Sequence, residues 1–172
     1  AHGQHLVRGV HRLITSDMVT AVLGKAVTRL ITSDKVTAVL GEVASTLSLA
    51  GGAVCQERKV PMISPSSTNP IVTRGRDYVF RVCFIDPFQG FVVAKFAHEN
   101  LKKTKVAVLY DQTQAYSKGL RDEFKKAYKK MGGDIVADQA FSGGDQDFSA
   151  QLTTIKAAGA EAIFVPGYYT DV

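Results

Sequence analysis

Hydroxyl groups gather at two places in this chain. Val36-Thr37-Ala38-Val39-Leu40 runs into Gly41-Glu42-Val43-Ala44-Ser45-Thr46, and Pro61-Met62-Ile63 runs into Ser64-Pro65-Ser66-Ser67-Thr68-Asn69-Pro70. Each apolar, β-branched run reads as a strand, so each hydroxyl cluster follows a strand's carboxyl end. In a parallel α/β sheet a ligand sits outside those ends, where loop hydroxyls meet the unpaired N–H groups of the next helix. Such a corner suits an anion, a carboxylate above all. The hydroxyls of these two loops, Ser45 and Thr46 in the first and Ser64, Ser66, Ser67 and Thr68 in the second, are therefore the first candidates for a binding site. Plainer roles compete with that one: Ser45 and Ser117 serve equally as helix N-caps, and Thr68 as a turn residue before Asn69-Pro70.

Other chemistries find little support. Ser45 is not in a G-x-S-x-G elbow and no histidine stands in a recognisable partner motif, which disfavours a serine hydrolase. His2, His5, His11 and His98 show no metal-ligand spacing, and His2 and His5 suit a tag or vector scar. No G-x-G-x-x-G or Walker loop follows a strand, and Gly143-Gly144-Asp145 reads as a turn. An enzyme, a metal and a cofactor are accordingly not expected. Cys55 and Cys83 lack a C-x-x-C pairing and read as small buried hydrophobes, with a disulfide open to them in an oxidising compartment.

The net charge of +5 is dispersed. Its densest group, Lys125, Lys126, Lys129 and Lys130, falls opposite the apolar Leu120, Phe124, Ala127 and Met131, as on a solvated helix face. No aromatic-plus-basic motif accompanies it, so nucleic acid is not an expected partner. No apolar run reaches the ~18 residues of a membrane span and no charged-then-apolar leader opens the chain, so it is cytoplasmic or has lost a signal.

The elements that must position the candidates alternate. Runs at 18–23, 36–40, 60–64, 78–83, 105–110, 134–139 and 161–165 read as strands. Between them 45–58, 88–102, 117–131 and 147–158 carry apolar residues at three- and four-residue spacing, as amphipathic helices do. Gly132-Gly133 and Gly159 close two of these helices, and Asp147 stands where an N-cap is wanted. The alternation predicts βαβ units and a mostly parallel sheet. Turn signals at Arg74-Gly75-Arg76-Asp77 and a new helix at Asp86-Pro87 divide the chain into residues 1–85 and 86–172. Residues 12–28 recur almost verbatim as 29–45, a tandem copy too clean for a divergent solenoid.

Ser64-Pro65-Ser66-Ser67-Thr68-Asn69-Pro70, Val79-Phe80-Arg81-Val82, Asp86-Pro87-Phe88-Gln89-Gly90, Asp147-Phe148-Ser149-Ala150-Gln151-Leu152 and Gly167-Tyr168-Tyr169, in that order, resemble the type I periplasmic binding proteins of branched-chain amino-acid ABC transporters. The resemblance runs from about Arg29 to the C-terminus. It implies an α/β fold of two Rossmann-like lobes with mostly parallel sheets, joined by a hinge and closing on an amino acid. It also implies a periplasmic receptor that serves a membrane permease and performs no chemistry.

By the same resemblance Ser45 binds the ligand α-carboxylate through its hydroxyl and N–H. Thr68 touches carboxylate and ammonium, and Ser66 offers its carbonyl to the ammonium. Tyr116 and Tyr168 close over the ligand, although ordinary packing remains open for Tyr168. The family's ammonium-neutralising acid falls beyond Val172, and Glu42 stands where many relatives carry histidine. The chain is then expected to be a fragment with a duplicated segment, its extra copy at 12–24 placing a strand 19–23 in the first sheet. Weak or absent ligand binding by the isolated chain is expected. The alternatives are a sensor-type or an amide- or aromatic-acid-binding member of the fold, and a non-binding fragment that dimerises through incomplete sheet edges.

Overall fold

The computed structural model describes residues 16–169, with side chains from Leu23 onward. His2, His5 and His11 and the opening of the tandem copy lie outside the described residues. The chain begins with helix α1 (Ser16–Thr32), strand β1 (Val39–Leu40), helix α2 (Ser45–Arg58), strand β2 (Met62–Ser64) and, after a 3₁₀ turn at Pro70–Val72, strand β3 (Val79–Arg81). It continues with helix α3 (Asp86–Lys95), which runs into a π-turn at Phe96–Asn100, and strand β4 (Lys105–Asp111). Helix α4 (Ala115–Lys130), strand β5 (Asp134–Phe141), helix α5 (Ser149–Ala157) and strand β6 (Ala162–Phe164) complete it.

Among the described residues the strands form two three-stranded parallel sheets, ordered β1-β2-β3 and β5-β4-β6. The expected α/β architecture with mostly parallel sheets is therefore present. Gly132 and Gly159 end their helices at φ +88° and +70°, where a left-handed turn favours glycine. Asp147 stands one position before the N-cap residue, Phe148, and its Oδ1 still accepts the Ser149 N–H at 2.9 Å.

The strand expected at 18–23 is not one. These residues lie inside α1, while the same Val-Thr-Ala-Val-Leu letters at 36–40 supply β1. Leu23, Val27 and Ile31, at helical spacing, pack on α2 with Cys55 and Met62, and that stripe outweighs the β-branched composition. In the second copy Lys35 at φ +53° and Gly41 at φ +137° bracket the segment, and no helix extends through it. The extra copy therefore adds no strand to the first sheet, and the idea that it fills a missing unit fails.

The sheets are clothed unequally. In the second, Val106 and Val108 face Ala94, Ala97, Phe124 and Tyr128, while Ala107 and Leu109 face Phe141 and Ile155. Helices thus cover both faces, as parallel sheets require. Close contact of α3 with α4 depends on Gly90: a Cβ there would fall 2.7 Å from the Phe124 backbone nitrogen. In the first sheet Val39 and Met62 face α1 and α2. Leu40, Ile63 and Phe80 stand side by side in register on the other face, with Leu40 77% and Phe80 49% exposed.

Lys125 departs from the solvated face expected of it. With Arg121 it forms ion pairs to Asp138 on β5, and the Arg121 guanidinium sits 4.4 Å from the Tyr110 ring centre. Cys55 is fully buried, and burial pushes its thiol up to about 11. Cys83 is half-buried and both cysteines are free, so the disulfide left open to them does not form.

Candidate binding cleft

The two hydroxyl-rich loops meet, and most of their hydroxyls are spent on each other. Ser64 Oγ donates to the Glu42 carbonyl at 2.6 Å and accepts the Ser67 N–H at 3.0 Å. Ser67 Oγ lies 2.7 Å from Ser48 Oγ and 3.0 Å from the Val43 carbonyl. Ser48 Oγ in turn reaches the Glu42 carbonyl at 3.0 Å. These buried bonds knit the loop after β1 to the loop after β2, because a buried polar group left without a partner is costly.

Arg81 clamps the second loop from β3. Its guanidinium donates to the carbonyls of Ser67 and Asn69 at 2.8 Å, to that of Pro70 at 3.1 Å and to Thr73 Oγ1 at 2.7 Å. Asn69 then ties the halves of the molecule together. Its N–H donates to Ser45 Oγ at 3.2 Å and its Nδ2 to the Ala115 carbonyl at 2.7 Å. Thr46 adds a second tie, accepting the Ala115 N–H at 2.8 Å and donating to Gln114 Oε1 at 3.0 Å.

Between these ties lies a cleft of about 240 Å³, lined by Val43, Ser45, Ser66, Thr68, Phe84, Gln89, Tyr116 and Tyr168. Of the residues expected at the site, Ser45, Ser66, Thr68, Tyr116 and Tyr168 are brought together there. Thr46 and Ser64, spent on the ties above, are not among them, nor is Ser67: it is buried in the loop-to-loop knot, with both its hydroxyl and its N–H engaged. Val43, Phe84 and Gln89 line the cleft without having been singled out, although Gln89 sits inside a recognised string. Neither Ser45 nor Ser117 is an N-cap. Ala44 and Gln114 hold those positions with no side-chain cap, and Ser117 Oγ instead accepts the Asp111 N–H at 2.8 Å. The uncapped first turn of α2 therefore presents N–H groups and the positive end of its dipole beside Ser45.

The cleft's polar lining is incompletely partnered. Thr68 is only 7% exposed and its Oγ1 makes no well-formed hydrogen bond, although it lies near enough to the Asp86 carboxyl to pull that group down; Gln89 Oε1 is buried and unpartnered. The Gln89 Nε2 donates to the Tyr116 hydroxyl at 3.2 Å, and the Tyr116 ring lies 5.2 Å from that of Tyr168. Asp86, the first residue of α3, is fully buried, and neither carboxylate oxygen has a hydrogen-bond partner. Burial pushes its carboxyl up to about 6, against Thr68 and the Arg81 guanidinium, which pull it down. Gly119 makes this corner possible: a Cβ there would fall 2.5 Å from Asn69 Nδ2 and 2.8 Å from Asp86 Oδ2.

A polar cleft between the carboxyl ends of two parallel sheets defines a ligand-binding α/β protein. The family profile described as "Periplasmic binding protein" matches residues 9–171, and the chain belongs to that family. It is 43% identical over 119 residues to "Leu/Ile/Val-binding protein homolog 3" of Brucella melitensis, covering 69% of this chain and 32% of that protein. Among solved structures it superposes on a leucine-binding protein LivK from Thermotoga maritima with a TM-score of 0.85 at 47% identity, covering 87% of this chain and 43% of the other. A branched-chain amino-acid transporter substrate-binding protein LivJ from Streptococcus pneumoniae, in complex with isoleucine, gives 0.80 at 41% identity, over 87% of this chain and 42% of the other. The fold is that of the type I periplasmic binding proteins, a family of binding proteins and not of enzymes. The chain spans about a third of the length of the curated relatives it matches, between 32% and 38%.

The two serine roles separate by mutation. Ser67→Ala is expected to lower stability by about 1–3 kcal/mol in urea unfolding, whereas the exposed Ser66→Ala changes it by less than about 0.5 kcal/mol. Asp86 sets a pH dependence of definite sign. Its folded carboxyl holds a proton that the unfolded chain releases, so its contribution to stability falls as pH rises from 3.8 to about 6. Above that range the penalty is about 3 kcal/mol, each tenfold gain in proton affinity being worth ~1.4 kcal/mol. Asp86→Asn is expected to flatten this decline in urea midpoints measured across the range; parallel curves for the two proteins would show that Asp86 titrates normally.

Proposed function

We propose that this chain is the ligand-contacting part of an amino-acid receptor of an ABC importer, exposed to the periplasm and handing its ligand to a membrane permease. Branched-chain amino acids are the leading ligand class. The observation that carries this reading is the cleft itself, in which hydroxyl donors beside an uncapped helix N-terminus face Tyr116 and Tyr168 across about 240 Å³. That space is below the ~300–1,000 Å³ of drug-sized sites and suits a small ligand. The names of the relatives point to the same ligand class.

In this reading Ser45 and the first N–H groups of α2 hold the α-carboxylate, each charge-assisted bond contributing about 1.5–3 kcal/mol. Thr68 bridges carboxylate and ammonium through its unpartnered hydroxyl. Ser66 offers its backbone carbonyl, its own Oγ being turned to the Val43 carbonyl at 3.3 Å. Tyr116 and Tyr168 close the apolar wall.

A thermal-shift titration with leucine, isoleucine and valine into the millimolar range tests the reading. A ligand at ~100 times its dissociation constant stabilises the native state by about 2.7 kcal/mol. Binding by this chain alone is expected to be weak, so that the aliphatic amino acids raise the melting temperature only in the millimolar range, and Ser45→Ala and Thr68→Ala each weaken the apparent affinity at least about tenfold. No shift with any of the three would count against the receptor.

The open face of the first sheet favours a second reading, self-association of two copies through Leu40, Ile63, Phe80 and Val82. Sedimentation at increasing concentration is then expected to show a rising mass that Phe80→Lys abolishes; a constant monomer mass removes this reading.

A further inference from the structure

Resting on the amino-acid reading above, we propose that Asp86 is a positioning residue that acts on the ligand through Thr68. The Thr68 hydroxyl has one proton, and the ligand α-carboxylate can claim it only when the Asp86 carboxyl holds a proton of its own. Asp86 is fully buried at the start of α3 and does not line the cleft, so a ligand does not touch it. Thr68 does line the cleft, and the two residues are joined by their backbones, the Asp86 N–H donating to the Thr68 carbonyl at 3.0 Å.

The groups that face the carboxyl offer it little else. Arg81, from β3, spends both of its Nη groups on the carbonyls of Ser67, Asn69 and Pro70 and on Thr73 Oγ1. Asn69 Nδ2 is given to the Ala115 carbonyl. From α4 come the Glu123 charge, which opposes ionisation of Asp86, and the Tyr116 hydroxyl, which accepts from Gln89. Gly119 supplies no side chain, and its missing Cβ leaves the room that Asp86 Oδ2 occupies. There remains the Thr68 hydroxyl, which makes no well-formed hydrogen bond yet lies near enough to pull the carboxyl down.

The direction of that hydroxyl follows the state of Asp86. An ionised carboxylate can only accept, so it draws the Thr68 proton to itself and turns the Oγ1 lone pairs toward the ligand carboxylate. A protonated Asp86 donates to Oγ1 instead and releases the Thr68 proton to the ligand, beside the Ser45 hydroxyl. Burial pushes the Asp86 carboxyl up to about 6, with Glu123 adding to the rise and Thr68 and Arg81 opposing it, so both states are reached in ordinary buffers. A ligand carboxylate that takes the Thr68 proton removes a contact favouring the ionised form. Binding and protonation of Asp86 therefore support each other, and the coupling is reciprocal.

The test is an NMR titration of the ¹⁵N-labelled chain with leucine, which keeps both its charges from weakly acid to weakly alkaline buffer, in the unmodified chain and in Asp86→Asn and Thr68→Val. The unmodified chain is expected to bind leucine about tenfold more tightly at about pH 5 than at about pH 7.5. Asp86→Asn, whose amide donates to Thr68 Oγ1 at any pH, is expected to keep the tighter affinity throughout. Thr68→Val is expected to bind more weakly and without pH dependence. If Asp86→Asn does not fold, as its amide spectrum would show, the ¹³C shift of the Asp86 carboxyl in the unmodified chain decides. Saturation with leucine is expected to raise its titration midpoint by about one pH unit, the same coupling read from the other side. A pH-independent affinity in the unmodified chain, a pH dependence that persists in either variant, or a midpoint that leucine leaves in place overturns the role of Asp86 and leaves the receptor standing. No binding to the unmodified chain at either pH at millimolar concentration overturns the receptor reading, and this one with it.

Discussion

One guanidinium fixes the loop that forms one wall of the cleft. Arg81 gathers three outward-turned carbonyls, those of Ser67, Asn69 and Pro70, together with the Thr73 hydroxyl. Without a donor those carbonyls would face a largely buried interior, and the loop from Ser64 to Pro70 would have no reason to keep its shape. Arg81 can serve them because it is the in-register neighbour of Ser64 on the parallel β2–β3 pair. A slip of one residue would send its side chain to the opposite face and bring Phe80 to the loop. Strand register, guanidinium, loop and cleft form a single chain of dependence. Planar, multiply donating arginine fits that position in a way that lysine would not.

The hydroxyls divide along the same line. Ser48, Ser64 and Ser67 are consumed in fastening one loop to the other, and Asn69 and Thr46 in fastening the loops to the start of α4. Ser45 and Thr68 alone among the buried loop hydroxyls line the cleft. From composition these serines and threonines look alike, which explains why Ser67 is a plausible ligand residue in the sequence and a structural one in the fold. Helix α2, the parallel strands and the corner itself were legible, since alternation, spacing and turn chemistry are local properties. Gln89 and Phe84 were not marked out, because their approach to Tyr116 and Tyr168 is a matter of how α3 packs on α4, through Gly90.

The tandem copy shows the same limit from the other side. Val19 to Gly24 and Val36 to Gly41 are identical in sequence, yet one lies in a helix and the other passes through a strand. Intrinsic preference cannot distinguish them, so the residues downstream of each copy must. After Gly24 the apolar stripe continues through Val27 to Ile31 and is buried against α2. After Gly41 the chain turns into the carbonyls of Glu42 and Val43 that the serines bind. Tertiary context decides, as it does wherever local propensities are weak.

The unpartnered atoms around the cleft then acquire a common sense. Packing that served stability alone would replace Asp86 by an apolar residue, since an ionised carboxylate without hydrogen bonds is among the least favourable things to bury. The fold instead keeps Asp86 buried beside Thr68 and Arg81, which offset only part of what burial costs its charged form. It supports them with a glycine at 119 that leaves just enough room for Asn69 and Asp86. Burying Asp86 behind Thr68 lowers stability at this corner, as a carboxyl taken out of water does unless strong partners offset the loss.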